Sequence, residues 1–307
     1  MNVLVTGAGG FVGRWLVPEL IRRGHTVVPG VYERVEDAGL DGAIRLDVTD
    51  PASVEAACAH RIDAVAHLAA ISSVGEAGRD VGRTYEVNTA GTARVAAAAA
   101  VRVGKSRRVR FLCVSTGAVY GGQEPGLRRE TDPTLPPNPY AASKLAAETA
   151  VLEVGRRTGL EVVVARPFGH TGAGQTAAFV VPAFTRRIIE AAALGAAAVG
   201  VGNLEPVREF MHVSDVVDAY IRLLERGKAG AIYNVASGVG VSMRDLFLRL
   251  ADLIGVRVIP ESDTRFLRAG DIPWVVGDGT RLRMETGWEP TWGLDETLQD
   301  VIHAEAH

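Results

Sequence analysis

An α/β fold, a doubly wound parallel sheet with a smaller mixed lobe behind it, is what this 307-residue sequence predicts, and three observations predict it. Short β-branched runs alternate with longer helical stretches, which is the pattern of repeated βαβ units. The first of those runs empties into a glycine-rich turn. After about residue 167 the alternation loosens into loops and short strands, then closes on a helical C-terminal part.

Bulk properties narrow the class. A net charge of −3 gives no reason to expect a nucleic-acid partner. The longest apolar stretch, around Ile188 to Leu204, is interrupted by Glu190 and glycines, so no membrane span is expected. The opening "MNVLVTG" goes straight into a strand-like run with no leader pattern, which predicts a cytoplasmic protein. The two cysteines, Cys58 and Cys113, sit in helix-like and strand-like apolar runs and read as buried thiols, not as a disulfide framework. No metal is expected.

Taken in order, the strand-like runs are "NVLVTG", "TVVPGV", "AIRLDV", "DAVAHLAA", "RVRFLCVS" and "LEVVVARP", separated by helical segments such as "GRWLVPELIRRG" and "PASVEAACAHR". The first strand runs into "TGAGGFVGRWL", with Gly7, Gly10 and Gly13 spaced three apart before a helix. Glycines let the backbone turn tightly and approach a pyrophosphate, which then sits on the amides and positive dipole of a helix N-terminus. A strand before the turn and a helix after it make this a Rossmann dinucleotide site, with NAD or NADP as the cofactor. The second strand is expected to end near Val31, followed by Glu33, which favours NAD, and Arg34, which favours NADP. Asp47, in "LDVTD", is placed to accept from the adenine amino group, while Asp50 is the better cap for the following helix. "GTARVAAAAAVRVG" reads as an alanine-rich helix with small side chains, suited to a subunit contact.

The chain uses lysine three times, at Lys105, Lys144 and Lys228, against thirty arginines, yet one of the three follows Tyr140 by four residues in "NPYAASKLAAE". That spacing puts both side chains on one face of a helix, and Pro139 suits the helix start. A tyrosine is a poor acid or base at neutral pH, and a nearby ammonium together with a cationic nicotinamide ring is expected to lower its pKa by ~3 units. "CVSTGAVYG" adds a strand ending in two hydroxyl residues able to orient a substrate oxygen.

With these residues assembled, the whole chain resembles the extended short-chain dehydrogenase/reductases of the nucleotide-sugar epimerase/dehydratase class. The resemblance implies that Thr116, four residues before the tyrosine of "VYG", is catalytic rather than Ser115, together with Tyr140 and Lys144. It also implies a cofactor wall of Phe11, Val12, Val48, Leu68, Ala69, Ala70, Asn88 and Pro167, and substrate contacts at Ser72, His170, Phe179 and Val180. In the second half, "RPFGHTGAGQ", "FVVPAF", "VGNLEPVREFMHVSDVVDAY" and "RAGDIPWVVGDGTRLRMETGWEP" resemble the GDP-4-keto-6-deoxy-mannose reductases, which places Arg208 and Arg268 on the substrate pyrophosphate. Two positions depart from that pattern: Gly169 stands where Asn is usual, and Ala173 where Pro is usual.

The resemblance further implies NAD(P)H-dependent reduction of a nucleotide-linked 4-keto-6-deoxy-hexose, GDP-linked by preference. The related 4,6-dehydratases carry an acidic pair after the catalytic hydroxyl residue, where this chain has Gly117 and Ala118. A 4-epimerase is the alternative. A dinucleotide-binding protein without catalysis would have no need of the tyrosine, lysine and hydroxyl set. Residues 1–166 are expected to bind the cofactor and 167–307 mainly the substrate, with a strand near 231–236 returning to the first sheet, and a homodimer is expected.

Overall fold

The computed structural model describes residues 1–32, 35–104, 108–122, 124–267 and 272–306; Glu33, Arg34 and Arg268 lie outside them. The strands are β1 Asn2–Thr6, β2 Thr26–Val31, β3 Ile44–Arg45, β4 Ala64–His67, β5 Arg110–Val114, β6 Leu127–Arg128, β7 Glu161–Pro167, β8 His170–Thr171, β9 Ala198–Val201, β10 Val207–Arg208, β11 Met211–His212, β12 Ile232–Val235, β13 Val241–Ser242, β14 Ile259–Ser262 and β15 Trp274–Gly277. Seven of them form one parallel sheet in the order β12-β7-β5-β4-β1-β2-β3. Chain order reverses between β1 and β4, the crevice where such sheets take their ligands.

Buried runs explain the sheet: Val3, Leu4 and Val5 of β1 and Phe111, Leu112 and Cys113 of β5 are all fully buried, as strands covered on both faces must be. Both cysteines are buried, unpaired thiols. The helices that cover and flank the sheet are α1 Phe11–Arg22, α2 Pro51–Ala59, α3 Val74–Arg79, α4 Val81–Tyr85, α5 Thr92–Ala100, α6 Pro139–Thr158, α7 Val180–Ala193, α8 Val213–Arg226, α9 Met243–Ile254, α10 Thr280–Thr286 and α11 Leu294–Glu305. The alanine-rich stretch is helical as expected, entered through a π-helical turn over Glu86–Gly91.

The return of the chain to the first sheet is explicit, since β12 pairs with β7 over Ile232 to Val235. The amphipathic α8 returns as well, its Val216, Val217 and Tyr220 joining the core that holds Val3, Leu16 and Leu112. A separate core around Phe184, Ile188, Phe247 and Leu298 holds α7, α9 and α11 together. There the strands are short and paired over long sequence distances: β10 lies between β13 and β15, and β8 pairs with β11.

Candidate active site

The glycine turn is built as a cradle. Gly7 has φ +69, and a Cβ there would stand 2.8 Å from the Ala69 backbone nitrogen, so the turn touches the end of β4. A Cβ on Gly13 would meet the Ala8 carbonyl oxygen at 2.5 Å, so α1 can press against the turn only without a side chain. The N–H groups at the start of α1, from Phe11 to Gly13, have no partners within the helix, as at any helix N-terminus, and no acidic residue occupies its first turn. This backbone fits a dinucleotide pyrophosphate.

Behind the cradle, His67 of β4 is fully buried between Thr6 (Nδ1 to Oγ1, 2.9 Å) and Thr92 (Nε2 to Oγ1, 2.8 Å). Burial, with a contribution from Lys144, pushes its pKa down to about 3. Asn88 is also fully buried, and its amide is used within the protein: Oδ1 accepts from Ile71 N at 2.8 Å, and Nδ2 donates to Ile71 O and Ser143 Oγ, each at 3.0 Å. It thereby braces the segment expected to line the cofactor, tying the Ile71 backbone to α6. Leu68, Ala69 and Ala70 are half-buried beside the turn, Val48 is buried against Gly91, and Pro167 ends β7. Asp47 stands two residues beyond β3, accepts from Thr49 N at 2.9 Å and Thr49 Oγ1 at 2.7 Å, and leaves the capping of α2 to Asp50.

Tyr140 and Lys144 project from one face of α6, whose N-cap Asn138 accepts from Ala141 N at 2.9 Å. Thr116 stands two residues beyond β5, with its side chain near enough to the Tyr140 phenol to hold down the rise in its pKa. Its neighbour Ser115 points the other way, donating to the buried Glu148. Burial pushes the Tyr140 pKa up and the Thr116 side chain opposes that, whereas the expected depression draws in part on a nicotinamide ring beside the phenol. Lys144 is 3% exposed, and burial lowers its own pKa against the opposing influence of Cys113 and Glu148. Among the described residues, no hydrogen bond engages its ammonium.

Thr116, Tyr140 and Lys144 thus converge, and Gly117 beside them has no room for a side chain: a Cβ would lie 2.9 Å from the Phe168 ring. On the facing side, His170 Nδ1 donates to Phe168 O at 2.9 Å; the ring stacks 6.3 Å from Phe11, and burial lowers its pKa. Ser72 and Phe179 are exposed, and Val180 packs on the second core. Arg208 is half-buried on β10, bonded to Val207 O at 2.8 Å. Nearby in the sequence, Phe210 is half-buried and Met211 buried, while Phe266 and Leu267 are exposed.

Both departures from the expected pattern have structural reasons. A Cβ on Gly169 would lie 2.0 Å from the Glu209 carbonyl oxygen, so β8 and β11 pair here only because residue 169 has no side chain. Ala173 donates its N–H to Asp300 Oδ2 at 2.7 Å, a bond that a proline cannot make.

Residues 3–236 match the model of the NAD dependent epimerase/dehydratase family. This chain belongs to that family. Among its relatives, GDP-6-deoxy-D-mannose reductase of Pseudomonas aeruginosa is 38% identical over 98% of this chain and 96% of its own length. GDP-6-deoxy-D-talose 4-dehydrogenase of Aggregatibacter actinomycetemcomitans is 31% identical over 92% and 90%. Among solved structures, RMD from Pseudomonas aeruginosa complexed with NADPH superposes with a TM-score of 0.86 at 35% identity, covering 99% of this chain and 98% of that one. The UDP-glucose 4-epimerase of Thermus thermophilus in complex with NAD superposes with a TM-score of 0.88 at 30% identity, covering 100% and 99%. Membership explains why one sheet edge carries both a dinucleotide cradle and a hydroxyl, phenol and ammonium set. Sequence reasoning missed Ser143, Glu148 and Arg166 behind that set; of these, Glu148 was within its reach, lying one helical turn beyond Lys144.

Proposed function

We propose that this family member is an NAD(P)H-dependent reductase of nucleotide-linked 4-keto-6-deoxy-hexoses, GDP-linked by preference. The observation that carries the reading is the convergence of Thr116, Tyr140 and Lys144 beside a Gly117 sealed by Phe168. An acid able to drive elimination of water has no place there, which argues against a dehydratase. The two GDP-sugar relatives act, by their names, on 6-deoxy-hexoses of manno and talo configuration, which differ at C4.

The nicotinamide supplies or accepts hydride when bound. Tyr140, whose pKa is raised by burial, holds its proton and donates it to the C4 oxygen. Thr116 orients that oxygen through its hydroxyl. Lys144 holds the nicotinamide ribose hydroxyls and lowers the cost of the tyrosinate left behind. Gly7, Gly10, Gly13 and the amides of Phe11 and Val12 hold the cofactor pyrophosphate, with Asp47, Val48, Leu68, Ala69 and Ala70 along the adenosine and ribose path. Glu33 and Arg34 set the choice between NAD and NADP. Ser72, His170, Phe179 and Val180 face the sugar and its nucleotide, whose diphosphate Arg208 and Arg268 grip.

Residues 1–166 then act chiefly on the cofactor and 167–307 chiefly on the substrate. The small outer face of α5 suits pairing of two copies, and a cytoplasmic location supplies the reduced cofactor. The test is a panel of 4-keto-6-deoxy nucleotide sugars offered with NADH and NADPH, followed at the nicotinamide absorbance band and by NMR of the C4 configuration. Stoichiometric oxidation with a GDP-linked substrate supports reduction. Interconversion of C4 epimers without net cofactor turnover would assign the epimerase reading in its place.

A further inference from the structure

We propose that the buried Glu148–Arg166 pair is a positioning element of the reaction: Glu148 keeps the Lys144 ammonium charged and, through Ser115, fixes the strand end that presents Thr116. The proposal rests on the reductase reading for the roles of Lys144 and Thr116.

The pair is fully enclosed. Glu148 is 2% and Arg166 4% exposed, joined by Nη2 to Oε2 at 2.7 Å and Nε to Oε1 at 3.0 Å. Glu148 sits on α6 one turn beyond Lys144, on the same helix face. Its Oε1 also accepts from Ser115 Oγ, the residue that hands the chain to Thr116. Arg166 of β7 lies 4.8 Å from the centre of the Tyr120 ring, and Tyr120 in turn donates to Asn234 Oδ1 of β12 at 2.7 Å. One ion pair thus ties together α6, the end of β5, β7, the turn through Tyr120 and β12, and every element bearing a proposed catalytic group touches it.

Stability alone is a poor reason for such a pair. Replacing a buried ion pair by apolar side chains is often neutral or stabilising, because desolvation offsets the attraction. Here the satisfaction is also incomplete: Arg166 Nη1 is buried with no hydrogen-bond partner among the described residues. The setting of Lys144 supplies a reason. Around it stand Cys113 of β5, His67 of β4, and Tyr140 and Glu148 of its own helix. The Cys113 thiol is pushed up to about 12 and His67 down to about 3, both chiefly by burial, so neither carries charge at neutral pH. Glu148 is then the anion that opposes burial of the ammonium, and Arg166 holds that carboxylate in place.

Because the chain has three lysines, the idea can be read directly in the free protein. Lysine labelled with 13C at Cε gives three side-chain signals, assigned by Lys→Arg substitution, whose shifts report protonation. In Glu148→Gln the Lys144 midpoint should fall by about one pH unit, the size typical of losing a nearby opposite charge, with Lys105 and Lys228 unmoved. The alkaline limb of kcat should move down by the same amount, and Glu148→Asp should restore both. If Glu148→Gln does not fold because Arg166 is stranded, Glu148→Gln/Arg166→Met removes both charges, and a smaller fall in the same direction is expected because a cation leaves with the anion. An unchanged Lys144 midpoint in whichever variant folds overturns the proposal, as does a loss of kcat with no movement of the limb, which packing alone would produce. The lysine titration uses no substrate, so it stands or falls separately from the reductase assignment.

Discussion

The N-terminal sheet and the C-terminal lobe, proposed above as the cofactor side and the substrate side, are built by different means. Around the cradle, each group is delivered by a continuous stretch of chain: β1 leads to Gly7 and α1, β4 to Leu68 and Ala69, and α6 carries Tyr140 and Lys144. On the substrate side, two-residue strands are joined across the sequence, and the knot is Glu209. Fully buried, it accepts from Ser237 N at 2.6 Å, Ser237 Oγ at 2.7 Å and Gly277 N at 2.6 Å. Burial pushes its pKa up while those donors oppose it. The difference teaches where each side is vulnerable. The cofactor side depends on single chemical groups at fixed strand ends, the substrate side on long-range hydrogen bonds that hold a surface together.

The largest effect is expected at the chemical end of the cofactor side. Tyr140→Phe should lower kcat by roughly 10²- to 10⁴-fold, the usual loss of a general acid, with NADPH affinity kept. Stopped-flow turnover and fluorescence titration measure the two, and full activity in the variant would sink the assignment of Tyr140.

Next comes acid. Since the pKa of His67 is depressed from its usual 6.5 to about 3 by burial, the unfolded chain takes up a proton that the folded one refuses. Its contribution to stability is therefore complete above about pH 6.5 and is lost as pH falls towards about 3, by a few kcal/mol in all. Denaturant melts across that window should flatten in His67→Gln; an equal slope in both proteins would remove His67 as the cause.

On the substrate side, Arg208→Ala should raise KM for the nucleotide sugar by about 10- to 100-fold, the effect of one charge-assisted hydrogen bond, and leave the Kd for NADPH alone. If KM stays put while NADPH binding weakens, the two sides are not separable in the way described here. The smallest expected change is at the adenosine end: Glu33→Ala should improve the use of NADPH relative to NADH by a few-fold, measured as the ratio of kcat/KM values. An unchanged ratio would count against Glu33 as a selector.

How much could be read ahead of the fold follows the same division. The parallel sheet was legible because strands covered on both faces need an apolar centre, which "VLV" in the first run and "FLCV" in the fifth supply. Tyr140 with Lys144 was legible because a four-residue spacing fixes a shared helix face wherever the helix goes. The place of β12 in the sheet was anticipated, yet the return of α8 to the same core was not, since its amphipathic pattern announces a buried stripe without naming what covers it. What Asn88 bonds to could not be read ahead either, since only the fold brings Ile71 and Ser143 up to its amide.

By itself, then, the sequence determined the α/β class, the glycine turn, and the shared helix face of Tyr140 and Lys144, because each rests on residue type and short spacing. Tertiary structure alone decided three other things: that Ser115 turns inward to Glu148 while Thr116 meets Tyr140, that Gly169 must lack a side chain where Glu209 crosses it, and that burial raises the Tyr140 pKa. Each depends on which distant segment comes to lie within a few ångströms, and both desolvation and steric exclusion are properties of that proximity.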